Sequence, residues 1–165
     1  MGKERLTLLK YLAAGAALAL ALCAAAPTGA STLSLTTAYA VDPLTGAALE
    51  GYDAVSYFTE SAPLTGRPEF EYYWSGVPWY FATAANRDVF IKSPETYVPM
   101  FGGYAAMSMA RGYLSTGNPR IYAILAGRLF LFYSSGNKDA FLISPRDAYQ
   151  RAQEEWAVLS KDAGF

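Results

Sequence analysis

The sequence predicts an α+β domain: a small antiparallel sheet built from two hairpin-plus-short-helix units, with a C-terminal helix packed on it. Three observations carry this. Asn86-Arg-Asp-Val-Phe-Ile-Lys-Ser-Pro94 recurs as Asn137-Lys-Asp-Ala-Phe-Leu-Ile-Ser-Pro145, an offset of 51 residues that also pairs Gly76 with Gly127, Phe81 with Phe132 and Thr83 with Ser134. Self-similarity at a fixed offset marks one supersecondary unit used twice. Each copy has a glycine turn between aromatic runs, which is a hairpin signal. From Ser144 onward, apolar side chains fall at helical spacing. Strands mixed with short helices, without β-α-β alternation, give an α+β class with an antiparallel sheet.

Along the chain, Gly51-Tyr-Asp-Ala-Val-Ser-Tyr-Phe58 alternates and reads as a strand or extended segment. Ala62-Pro-Leu-Thr-Gly-Arg-Pro68 is turn chemistry. Residues 70–74 and 78–81 form a first hairpin across Ser75-Gly76. Thr83 caps a helix over 84–91 through its hydroxyl, with Asp88 near the positive end. Ser93-Pro94 starts a further helix, because proline at the first helical position loses no hydrogen bond; Pro99 stops it. Phe101-Gly-Gly-Tyr104 opens a loop, residues 105–111 form a short helix ended by Gly112, and Gly117-Asn118-Pro119 is a turn. Residues 120–125 and 128–133 make the second hairpin around Ala126-Gly127. A second short helix covers 137–143. Ser144-Pro145-Arg146-Asp147 is a capping box for the longest helix, to about Ser160, with Ala148, Tyr149, Ala152, Trp156 and Leu159 as its buried stripe.

Residues 1–40 read as a secretory signal peptide. Lys3, Arg5 and Lys10 precede an apolar run over 11–26, and Ala38-Tyr39-Ala40 forms an A-x-A site, so cleavage falls after Ala40 or, at the earlier option, after Ala26. An uncleaved anchor is the alternative, although the run is shorter than the ~20 residues that span a bilayer. Cys23 opens a lipoprotein reading, with bulky Leu22 where a small residue is wanted. Residues 41–50 read as a mobile arm and 51–161 as one domain. Export places that domain in the periplasm or outside the cell, free of the membrane once the signal is removed.

Beyond residue 40 the chain holds 13 Asp and Glu against 10 Lys and Arg, which excludes a basic nucleic-acid surface. There is no histidine, and Cys23 in the signal is the only cysteine. Disulfides, thiol nucleophiles and imidazole chemistry are therefore excluded, and the domain must hold together by packing, for which its aromatics suit it.

Gly51-Tyr-Asp-Ala-Val-Ser-Tyr-Phe-Thr, Tyr80-Phe-Ala-Thr-Ala-Ala-Asn-Arg-Asp-Val-Phe, Pro94-Glu-Thr-Tyr97, Gly102-Gly-Tyr-Ala-Ala106 and Leu129-Phe-Leu-Phe-Tyr133 resemble the longer, exported YHS-domain proteins of bacteria. The resemblance covers roughly residues 51–161. It implies a small α+β module of metal-binding type, whose relatives sit in or beside copper-handling proteins. Short metal-binding versions carry cysteines at the strand-to-helix turn, at positions held here by Ala82 and Asn86. Longer exported versions read Gly-Gly-Tyr-Cys-Ala, and Ala105 stands at that cysteine position.

The residues themselves bear on four chemistries. Met100, Met107 and Met109 offer thioethers of the kind that bind Cu(I), but in a helix Met107 and Met109 point about 200° apart. Asp53, Glu60, Glu69, Glu71, Asp88 and Asp139 could supply acid and base, yet no spacing pairs them. Ser93 and Ser144 are caps rather than nucleophiles, and Arg87 and Lys138 sit on a solvated face. Polar aromatics with the Gly102, Gly103 and Tyr104 loop as rim, and Tyr57 and Trp79 nearby, suit a small ligand. The sequence thus reads as an exported, non-catalytic YHS-like binding module for a small-molecule or protein partner. A periplasmic copper-handling protein using the three methionines is the alternative.

Overall fold

Both hairpins end in a turn whose two central residues have positive φ: Ser75 (50°) and Gly76 (85°), then Ala126 (49°) and Gly127 (71°). That turn matches the twist of two antiparallel strands and sets their register. In the computed structural model, which describes residues 38–164, it joins β1 (Arg67–Trp74) to β2 (Val77–Phe81) and β3 (Asn118–Leu125) to β4 (Arg128–Phe132). The class is α+β as expected, but the strands form two separate two-stranded sheets rather than one. Each hairpin carries an irregularity at the same place, between Arg67 and Glu71 in one and Asn118 and Tyr122 in the other.

The helices are α1 (Ser56–Thr59), α2 (Ala84–Lys92), α3 (Pro94–Tyr97), α4 (Ala106–Met109), α5 (Ser135–Ile143) and α6 (Pro145–Asp162). The Thr83 hydroxyl accepts from the Asn86 amide at 3.1 Å, and Ser134 does the same for Asn137 at 3.3 Å. Ser93 and Ser144 make no such side-chain bond, so proline rather than a serine cap starts α3 and α6. Asp88 lies in the second turn of α2 and pairs with Arg87 at 3.4 Å instead of serving the helix start.

The duplication runs further than the sequence similarity. Leu49, Glu50 and Gly51 have φ of 54°, 50° and 80°, and Phe101, Gly102 and Gly103 repeat this with 56°, 61° and 86°. After each left-handed run a tyrosine bridges a threonine, Tyr52 to Thr65 and Tyr104 to Thr116. The next amide donates back to a loop carbonyl, Asp53 to Leu64 at 2.9 Å and Ala105 to Ser115 at 2.8 Å. Gly66 N then donates to Gly51 O at 2.8 Å, and Gly117 N to Gly103 O at 3.1 Å. Each repeat is thus a left-handed entry turn, a short helix, a hairpin and a helix pair.

Two expectations are corrected here. Residues 51–58 are not a strand: a 3-10 turn (Leu49–Gly51) leads into α1. The segment 41–50 is not a loose arm, since Ala47, Ala48 and Leu49 are buried in the first core. The left-handed turn drives these small apolar residues inward, and the chain enters the domain by Tyr39.

Two cores meet at β4. The first holds Trp79, Phe81, Phe90 and Tyr57; the second holds Phe101, Met109, Phe132 and Phe141, closed by the α6 stripe of Ala148 and Ala152. No helix among the described residues is long and apolar enough to cross a membrane.

Gly66 packs directly on the Tyr80 backbone, where a Cβ would come within 2.5 Å of the carbonyl carbon and oxygen. Gly136, in α5, has nothing within 4 Å of its Cβ position. One substitution should therefore act in opposite directions. Gly66→Ala is expected to lower unfolding free energy by about 1–3 kcal/mol through overpacking. Gly136→Ala should raise it by up to about 1 kcal/mol, as alanine in place of glycine does inside a helix. Urea unfolding of both variants checks this; equal effects would contradict the close packing at Gly66.

Candidate ligand-binding cleft

The turn between β2 and α2 is tied to the entry segment by one buried carboxylate. Asp53 is 0% exposed. Its Oδ1 accepts from the amides of Val55 (2.9 Å) and Ser56 (3.3 Å), and its Oδ2 from the Ala82 amide (2.8 Å) and Asn86 Nδ2 (2.6 Å). Four donors saturate both oxygens, so this group is a clasp and has no free lone pair to offer a substrate. In the second repeat Ala105 replaces Asp53, and the Asn137 side chain turns to accept from Arg111 Nη1 at 3.3 Å. The clasp therefore exists only once, at Ala82 and Asn86.

The residues expected to bind a ligand lie elsewhere than expected. Tyr57 is buried, its hydroxyl donates to Pro119 O at 2.9 Å, and its ring meets Tyr122 edge-on at 4.9 Å. Burial pushes its phenol well above the ordinary range. Trp79 is 1% exposed and donates Nε1 to Trp74 O at 3.1 Å. Both are core residues with their polar atoms used. The Gly102, Gly103 and Tyr104 loop is no open rim. Ala38 O presses on Gly102, Ala40 N donates to Gly102 O at 2.7 Å, and the Tyr104 ring lies 6.0 Å from that of Trp156. Gly103 lines a water-sized void of about 10 Å³ with Glu50, Thr116 and Leu131.

Of the three methionines, Met109 is fully buried in the second core, and Met100 and Met107 are half-buried against it. Helix α4 sends the Met107 and Met109 side chains about 200° apart, so they do not converge from that helix.

An apolar cleft lies in the second repeat, between the β3–β4 turn and the α5–α6 corner. It encloses about 290 Å³, with Leu125, Phe130, Phe141 and Tyr149 as walls and Arg128 and Arg146 at its edge. Repeat geometry explains why it is open. The residues equivalent to Leu125 and Phe130 are Trp74 and Trp79, and there the Tyr39 ring fills the position, 5.7 Å from Trp74 and 5.2 Å from Trp79. Burial and then the Glu95 carboxylate push the Tyr39 phenol up to about 12. Among the described residues no segment plays this part in the second repeat, because the chain that enters it, from α3 through Pro99, pairs instead with Leu129. A second, polar cleft of about 420 Å³ lies between Glu50, Asn118 and Tyr133.

None of the six was expected from the sequence to contact a ligand; Tyr149 was expected only in the buried stripe of the C-terminal helix. The available signal was the set of differences between the copies, Val77 against Arg128 and Glu95 against Arg146, which only the 51-residue alignment exposes.

Compared with known proteins, the chain matches no protein-family model, no curated protein and no solved structure.

Because Tyr39 keeps its proton to about pH 12 when seated but loses it near 10 when free, its seating contributes stability that is complete below pH 10 and lost between 10 and 12. Urea unfolding across that window should show a smaller loss in Tyr39→Phe than in the parent chain. Identical losses would mean that the ring is not held between Trp74 and Trp79.

Proposed function

We propose that the protein is an exported, non-catalytic binding module of YHS-like architecture whose ligand seat is the cleft of the second repeat. One observation carries this reading: the equivalent seat in the first repeat is filled by an aromatic ring from the chain itself, while its counterpart has apolar walls at the equivalent positions and no occupant from the described residues. An apolar cleft of about 300 Å³ with a few polar groups at its edge is the usual form of a small-molecule site. The reading moves the ligand from the Gly102–Tyr104 region to Leu125, Phe130, Phe141 and Tyr149. The non-catalytic part rests on the sequence, which lacks histidine and has no cysteine beyond the signal, and on the saturation of Asp53. Processing of the leader bears on the same contrast. Cleavage after Ala40 would remove Tyr39 and empty the first seat, whereas cleavage after Ala26 keeps it filled, so we assign the earlier site.

4-Methylphenol, which is the tyrosine side chain without its backbone, is the direct probe. Titrated into isotope-labelled protein at millimolar concentration, it should shift the resonances of Leu125, Phe130, Phe141 and Tyr149. Shifts centred on Gly102 to Tyr104 or on Glu50 and Asn118, or no shifts at all, would overturn the assignment.

A further inference from the structure

The two seats differ in charge as well as occupancy. Val77 is 2% exposed beneath the filled seat, and its counterpart Arg128 is exposed at the mouth of the open one. Glu95, close enough to Tyr39 to act on its phenol, is replaced by Arg146. Two positions that carry one negative charge between them in the first repeat carry two positive charges in the second. Neither guanidinium makes a hydrogen bond or ion pair with the described residues. They stand on different elements, Arg128 at the start of β4 and Arg146 in the first turn of α6, and both line the cleft with the apolar walls.

We infer that the second-repeat cleft takes a small aromatic carboxylate, its ring between Leu125, Phe130 and Tyr149 and its carboxylate held by Arg128 and Arg146. This rests on the cleft being the ligand seat and adds the ligand's class. A ring follows from the counterpart seat, which holds one. An anion follows from the arginines, because a planar guanidinium pairs with a carboxylate through two parallel N–H donors. A small molecule follows from the volume: about 290 Å³ accommodates one or two fused rings and little more. Glu95, in the position of Arg146, would repel such an anion, so the first seat suits only the uncharged phenol it holds.

The test compares 4-hydroxyphenylacetate with 4-methylphenol, which share a ring and differ in the carboxylate, by calorimetry on the full domain including Tyr39. The acid should bind about tenfold more tightly than the phenol, in keeping with charge-assisted hydrogen bonds of about 1.5 kcal/mol or more. Its affinity should fall with added salt while that of the phenol does not. Arg128→Val and Arg146→Glu restore first-repeat residues at exposed positions, so both should fold. Each should remove most of the acid's advantage and leave the phenol's affinity unchanged. Equal binding of acid and phenol, unaffected by either variant, would overturn the anionic ligand and leave the seat standing. Failure of both to bind would overturn the two together. A blocked peptide of residues 38–42 that binds where the acid does not would overturn the small-molecule assignment in favour of an extended chain.

Discussion

Strand β4 is buried on both faces, and the rest of the domain is arranged around that fact. Leu129 and Leu131 point into the first core, Phe130 and Phe132 into the second, and all four are less than 5% exposed. Its counterpart β2 buries only alternate residues, Val77, Trp79 and Phe81. A two-stranded hairpin is marginal by itself, because it has one apolar face that something else must cover. Sharing β4 gives each repeat a wall it could not build alone. Burying one leucine contributes about 1.5–3 kcal/mol, so two leucines inserted across the seam weigh heavily against a total stability of about 5–15 kcal/mol. The seam is also fastened by polar contacts, chiefly the Tyr57 hydroxyl on Pro119 O.

The two copies keep the same backbone and have diverged in what they do with it. The first spends its polar resources on closure: Asp53 clasps Ala82 and Asn86, and Tyr39 covers the tryptophans. The second has no carboxylate at the clasp, because Ala105 stands there, and among the described residues no counterpart of the Tyr39 ring beside Leu125 and Phe130. What it has instead is α6, longer than α3, whose Tyr149 replaces Val98 and builds the far wall of the cleft. Duplication thus supplies an internal control: whatever the first repeat fills and the second leaves open is a position where occupancy is structurally possible and not required for folding.

The sequence carried the second half of each repeat clearly, because glycine turns, Thr83 and Ser134 caps and Ser-Pro junctions are local signals that recur at one spacing. The first half was hidden for two reasons. The copies there differ by one residue in length, so Ser56 matches Ser108 while Gly66 matches Gly117. The left-handed turn is also built from unlike residues, Leu49-Glu50-Gly51 and Phe101-Gly102-Gly103, and backbone hydrogen bonds rather than side chains define it. A run of apolar and aromatic residues at 51–58 then imitated a strand. At the site, composition cannot separate Tyr57 and Trp79, which are sealed in the core, from Phe130 and Tyr149, which border open space. That separation depends on which strand is shared, a tertiary fact with no local signature.

Native-state hydrogen exchange on Leu129→Ala tests the shared strand most directly. The side chain belongs to the second repeat by sequence and to the first core by contact. Truncation of a buried leucine costs about 2–5 kcal/mol. If β4 joins the two cores, amide protection should fall together in β1–β2 and β3–β4 by a similar amount. Loss confined to β3–β4, with the first hairpin as protected as before, would contradict the account.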